Sequence, residues 1–268
     1  MSSVRVFGSE LRLLFRRRRT GVMLIALAAV PILIAVAVRL TQSNRGPAFI
    51  AEISSNGFFV ASSAITVAVP FFLPLTVAVV AGDSIAGEAS AGTLRYLLVA
   101  PAGRIRLLLV KFASTVVFVL SATLVMAVAG TLIGLTLFPT GPVTLLSGDT
   151  IPFAEALTRT LLVALYVALS LLGLAAISLF ISTLTDSPVA AIAATAGVAV
   201  VSQVLDQLPQ IEWIHPWLFT DPWLGFSGLL SNPVSYDAFG QNALLQLGYV
   251  AVFGALAWAR FTSKDIAS

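Results

Sequence analysis

The sequence predicts an all-α integral membrane protein with six transmembrane helices. Three observations carry that expectation. Of 268 residues, 58% are hydrophobic and only 10% are charged, too few charges to cover a soluble domain of this size. Apolar windows of about 20 residues, long enough to cross a bilayer, recur along the chain. The Lys and Arg residues gather in alternate connections between those windows, which fixes an orientation. Three further elements are expected: an N-terminal amphipathic interfacial helix, a charged cytoplasmic helix between spans two and three, and short re-entrant helices between spans five and six. The chain divides into residues 1–20, a basic interfacial helix, and residues 21–268, a single transmembrane domain that includes a charged segment at 82–106 and an external lid at 206–240.

Residues 4–19, VRVFGSELRLLFRRRR, pair apolar Val4, Phe7, Leu11 and Phe15 with Arg5, Arg12 and the run Arg16, Arg17, Arg18, Arg19. Such a pattern lies in the membrane surface, with its basic residues toward anionic lipid. The run also anchors topology. The first span follows at 21–40. It is too long for the apolar core of a cleaved secretory signal, and no small-residue cleavage site follows it. The second span is expected at 60–81, the third at 107–137, the fourth at 157–182, the fifth at 188–205 and the sixth at 241–260. Pro31, Pro70 and Pro74 fall inside spans and are expected to kink them, with neighbouring helices satisfying the freed carbonyls.

With both termini in the cytoplasm, twelve Lys/Arg lie inside and three, Arg39, Arg45 and Arg159, lie outside. The reverse arrangement would export the Arg16–Arg19 cluster. Segment 82–104, GDSIAGEASAGTLRYLLVAPAGR, then lies inside. It carries Asp83, Glu88, Arg95 and Arg104, with Arg106 just beyond. At roughly 2.5–3.5 kcal/mol for each charge near a bilayer centre, the five together would cost more than about 12 kcal/mol. The segment therefore belongs in water or at the surface. Ile85, Ala89, Gly92, Tyr96 and Val99 form one stripe, while Leu94, Leu97 and Leu98 fall elsewhere around the wheel. The segment is a short helix, or two joined at Gly92–Thr93; apolar on several sides, it either braces the bundle or serves a second protein, and the wheel leaves both open. Pro101 and Gly103 end it.

Ser187 before Pro188 is an N-cap followed by proline at the first helical position. The external lid carries Trp213, Trp217 and Trp223, which favour the headgroup level; it reads equally as an aromatic belt or as a gate. The lone histidine, His215, shares that loop with four carboxylates, a setting in which histidine is usually just solvated, so no metal site is assigned. Gly130 and Gly134 form a GxxxG, and Ala190 and Ala194 have similar spacing. Both pairs suit close helix packing, within the chain or across a dimer. There is no cysteine, no P-loop pattern and no catalytic serine or zinc motif, so nothing in the sequence suggests an enzyme. The spans also lack a mid-depth carboxylate of the kind that proton- or sodium-coupled carriers use.

The order Asp83, Glu88, Gly92–Thr93–Leu94, Leu97–Leu98, Pro101, Arg104 and Lys111 resembles the pattern after the second helix of ABC-2-type permeases, the membrane subunits of one class of ATP-binding-cassette exporters. The likeness extends to the basic stretch SELRLLFRRRRTG, the short turn TLTDSP and the closing FTSKDIAS. The resemblance implies a bacterial cytoplasmic-membrane exporter subunit with both termini inside. Residues 82–106 would hold a coupling helix for a separate ATPase, with contacts from Ile85, Glu88, Leu94, Arg95, Tyr96 and Leu97. Two ATPase subunits would bind ATP and magnesium, so that this chain would bind no cofactor itself. A second permease subunit, identical or homologous, would complete the path; nucleic acid is not an expected partner. A six-helix scaffold or channel without a nucleotide-hydrolysing partner is the alternative.

Overall fold

The computed structural model describes residues 3–41, 53, 56–93, 103–139, 141–144 and 149–263. Within them lie helices α1 (Ser3–Arg16), α2 (Arg18–Thr41), α3 (Phe59–Ala68), α4 (Phe72–Ser90), α5 (Arg104–Leu137), α6 (Phe153–Ser170), α7 (Leu172–Leu184), α8 (Pro188–Asp206) and α9 (Asp237–Ser263). Two 3₁₀ segments, Pro209–Trp217 and Asp221–Leu230, fill the connection between α8 and α9. Six helical stretches are long and apolar enough to cross a membrane: α2, α4, α5, the α6–α7 pair, α8 and α9. The chain is a multi-pass membrane protein by that measure. One short antiparallel ladder departs from the all-α expectation: β1 (Val143–Thr144) pairs with β2 (Thr150–Ile151) in the connection between α5 and α6.

The α6–α7 pair forms the interior, with Leu171, Leu174, Val163, Ala164 and Val167 fully excluded from solvent. Around it, α7 packs on α4 and α9, α5 packs on α2, α3 and α6, and α8 packs on α4. The peripheral helices turn bare apolar side chains outward: Ile25 and Leu40 on α2, Val189 on α8, and Leu244 on α9 are each at least 70% exposed. A water-soluble protein would not leave such surface uncovered; a lipid-facing one must.

The second span differs most from expectation. Instead of one helix over 60–81, the chain makes α3, breaks at 69–71, and continues as α4 to Ser90. Pro70 has no N–H to give the ladder, and the side-chain amide of Gln203 on α8 donates to the Pro70 carbonyl at 2.8 Å. Pro74 sits in the first turn of α4, where the missing N–H has no intrahelical partner anyway. Pro31 lies within α2 without ending it. The fourth span extends to 153–184 and is interrupted at Leu171.

The paired glycines act within the chain. A Cβ on Gly134 would lie 1.9 Å from the Gly57 carbonyl oxygen, and one on Gly130 would lie 2.6 Å from the Ala61 Cα. The start of α3 thus rests directly on the backbone of α5. Ala190 and Ala194 do the opposite and face outward; α8 packs through Ala191, Thr195, Ala199 and Ser202 instead.

Candidate functional site

The charged groups of the sequence converge at one end of the bundle, where α1, the end of α4, the start of α5, the α7–α8 turn and the end of α9 meet. The first half of segment 82–106 is not a separate helix. Residues 82–90 are the last turns of α4, which stops where Gly92 takes φ +67°. There the N–H groups of Gly92 and Thr93 reach back to the carbonyls of Ala89 and Glu88, a glycine-terminated helix end. Gly103, at φ +71°, precedes α5. Leu94, Arg95, Tyr96 and Leu97 lie outside the described residues.

Asp83 is 9% exposed, which corrects, for this residue, the expectation that charge cost would keep the segment in water or at the surface. Its charge is met by two guanidinium groups. Arg17 donates to Oδ2 at 2.8 Å, and Arg19 donates to the same oxygen. Burial of the carboxylate is tolerable because both cations reach it from the α1–α2 junction. The four-arginine run is therefore divided: Arg17 and Arg19 pair with α4, while Arg16 and Arg18 are exposed.

A second cluster lies beside the first. Lys111 on α5, only 3% exposed, donates to Glu10 of α1 at 2.7 Å and to Glu88 of α4. One ammonium group thus ties three helices together. The other Glu88 oxygen, Oε2, is buried without a hydrogen-bond partner among the described residues, as is the nearby Ser114 hydroxyl. Ile85 is 2% exposed and packs with Leu107, Leu108, Leu179 and Phe261. Its side chain belongs to the interior and not to an outward docking face. The wheel missed this because it read 85–99 apart from the second span, as a short helix or two joined at Gly92–Thr93; the stop at Gly92 agrees with the break.

The Ser182 hydroxyl of α7 enters the ladder of α4. It donates to the Gly82 carbonyl at 2.6 Å and accepts from the N–H groups of Ile85 and Ala86 at 3.1 and 2.9 Å. Arg104 closes the end of α9 by donating to the carbonyls of Phe261 and Thr262 at 3.1 and 2.6 Å. The end of α4 is thus in direct polar contact with the α1–α2 junction, α5 and α7.

The opposite end holds the lid. Trp213 and Trp217 are exposed, at 75% and 72%. Trp223 is not: it is 3% exposed, and its indole N–H donates to the Ser170 carbonyl at 3.0 Å, next to the α6–α7 break. Gln246 of α9 donates to the Phe219 carbonyl at 3.1 Å and accepts from the Gly173 N–H at 3.0 Å. Asn242 donates to the Ser170 hydroxyl at 2.6 Å. Arg159, buried on α6, donates to the carbonyls of Leu229 and Ser231 and pairs with Glu155 at 2.7 Å. The lid is bolted to α6, α7 and α9 by polar contacts that sequence reasoning overlooked. Asn242, Gln246 and Arg159 belong to no motif, and only an odd amide on an apolar helix hinted at them.

Among the described residues no three His, Cys, Asp or Glu side chains gather as metal ligands. His215 faces the Leu208 carbonyl at 3.2 Å. Burial raises the pKa of Asp221 above the usual carboxylate value, the charge of Asp206 adds to the rise, and His215 opposes it.

A family model described as "Protein of unknown function (DUF2705)" matches residues 29–267, from within α2 to just beyond α9. α1 lies outside the match. No curated protein matches the chain.

Proposed function

We propose, for a chain that belongs to the DUF2705 family of proteins of unknown function, that it is the membrane subunit of an ATP-binding-cassette exporter of the ABC-2 type. The observation that carries the reading is the ion-paired end of the bundle. There α4 leaves the interior and stops at Gly92, α5 begins after Gly103, and a basic helix is strapped across both through Asp83, Lys111 and Glu88. A connection of this kind, short and held at both ends by rigid helices, suits a segment on which a separate ATPase would push. The absence of a P-loop pattern in the sequence fits an energy source on another chain.

In this reading the ion-paired end faces the bacterial cytoplasm with both termini, as the Lys/Arg distribution suggests. Residues 93–103 would touch the ATPase, with Leu94, Arg95, Tyr96 and Leu97 as its contacts. Glu88 would act from within, holding the end of α4 to Lys111. Movement of α4 would reach α7 through Ser182 and then the lid through the α6–α7 break, switching a path at a permease dimer from inward- to outward-open. The lid, with Trp213 and Trp217, would form the outer end of that path.

The test is co-purification of the full chain with the ATP-binding-cassette ATPase encoded beside it, wild type against Leu97→Asp and Arg95→Glu. Loss of assembly and of ATPase stimulation, with an unchanged melting temperature for the isolated permease, is the expected result. Variants that assemble and stimulate like wild type would remove the docking assignment. If no adjacent ATPase gene exists, a scaffold or channel becomes the better description.

A further inference from the structure

The structure sorts the N-terminal arginines into two sets, and the second set has no role in the clamp. Arg17 and Arg19 meet Asp83. Arg5, Arg12 and Arg16 are exposed and make no ion pair with any described residue. They stand at i, i+7 and i+11 on α1, within an arc of about 40° around the helix. Leu14 is buried on the opposite side, and Glu10, which points to Lys111, is also on the inward half. Leu13 and Phe15 flank the arginine stripe and are 59% and 39% exposed.

We infer that this stripe binds the anionic headgroups of membrane phospholipid. Three guanidinium groups in a row, without carboxylate partners, complement a phosphate surface. The apolar flanks argue for lipid over an acidic protein surface. Leu13 and Phe15 can enter the acyl boundary on either side of the stripe, as interfacial helices do. α2 starts just after Arg17 and exposes apolar Val22 and Ile25 in its first turns. α1 carries Glu10 on its inner face. Lipid binding at the stripe goes beyond the exporter reading and stands whether or not an ATPase docks.

The experiment uses the full chain in mild detergent and native mass spectrometry, with phosphatidylglycerol and phosphatidylcholine of identical acyl chains. Wild type is expected to prefer phosphatidylglycerol by at least about tenfold, since each basic residue near an anionic surface contributes roughly fivefold. Arg5→Gln/Arg12→Gln/Arg16→Gln should lose most of that preference. The matching lysine variant should keep it, and Arg39→Gln, at the far end of α2, should leave it unchanged. In wild type the preference should fall as salt rises. An equal preference in the glutamine variant, or a wild type that does not discriminate, overturns the proposal. So does a glutamine variant that keeps its lipids but fails to recruit the ATPase, which would make the stripe a protein-docking surface.

Discussion

At the scale of residues, Lys111 carries the most. Its ammonium is 3% exposed and serves two carboxylates on two other helices. Removing it leaves Glu88 and Glu10 without their cation in partly dry surroundings, and breaking a buried pair from one side typically costs about 3–5 kcal/mol. Lys111→Ala should lower the melting temperature in detergent markedly, and Glu88→Gln/Lys111→Met should recover part of the loss. A Lys111→Ala protein as stable as wild type would mean that the cluster is solvated and does not clamp. Asp221 offers a separate test. Its folded pKa lies above the ordinary 3.8, chiefly through burial. A carboxyl raised in the folded state costs nothing while protonated, and its penalty develops as pH rises from the unfolded value through the folded one. Asp221→Asn should therefore flatten the decline of stability over that acidic window and stabilise the chain above it. Melting curves from about pH 4 to pH 7 decide the matter, and a steeper decline in the variant would reverse the sign argued here.

At the scale of elements, contact between helices is set by a few positions where nothing larger than hydrogen fits. Gly134 lies against the Gly57 carbonyl, and the obstacle is backbone, which cannot swing aside. Gly197 on α8 has nothing within 4 Å of an added Cβ. Gly134→Ala should cost about 2 kcal/mol or more, through strain between α3 and α5. Gly197→Ala, in the same kind of apolar helix, should be neutral or slightly stabilising in the isolated subunit. A lid variant probes the other end. Gln246→Leu strands the Gly173 N–H and the Phe219 carbonyl, each worth about 1–3 kcal/mol when buried unpaired. Its expected signature is faster hydrogen exchange across residues 209–230 with little change in α2. Uniform exchange throughout would show that the bolts are not local.

At the scale of the whole molecule, the two ends differ in kind. One is basic and cross-braced by ion pairs between helices; the other is aromatic and braced by side-chain amides and the Arg159 guanidinium on backbone carbonyls. Because the chain contains no cysteine, single substitutions report sidedness cleanly. Trp213→Cys should react with a membrane-impermeant thiol reagent in intact cells, and Ser263→Cys only after permeabilisation. The opposite pattern would invert the orientation assumed for the proposed function.

The six stretches long and apolar enough to cross a membrane, and their order, were legible in the sequence. Each depends on local composition and periodicity, and lipid imposes those on every residue of a crossing helix. The Ser187 cap was legible too, and its hydroxyl accepts from the Ala190 N–H. What the sequence left undecided is which charges, amides and glycines find one another across tens of residues. Asp83 looked too expensive to bury until Arg17 and Arg19 came to it from 66 and 64 residues away. Trp223 looked like a surface tryptophan until the Ser170 carbonyl was brought within reach of its indole. Sequence pattern records the solvent each residue must meet, so it determined that this chain carries six stretches long and apolar enough to cross a membrane. Partnership between distant polar groups depends on how the helices pack, and only the tertiary structure decided it.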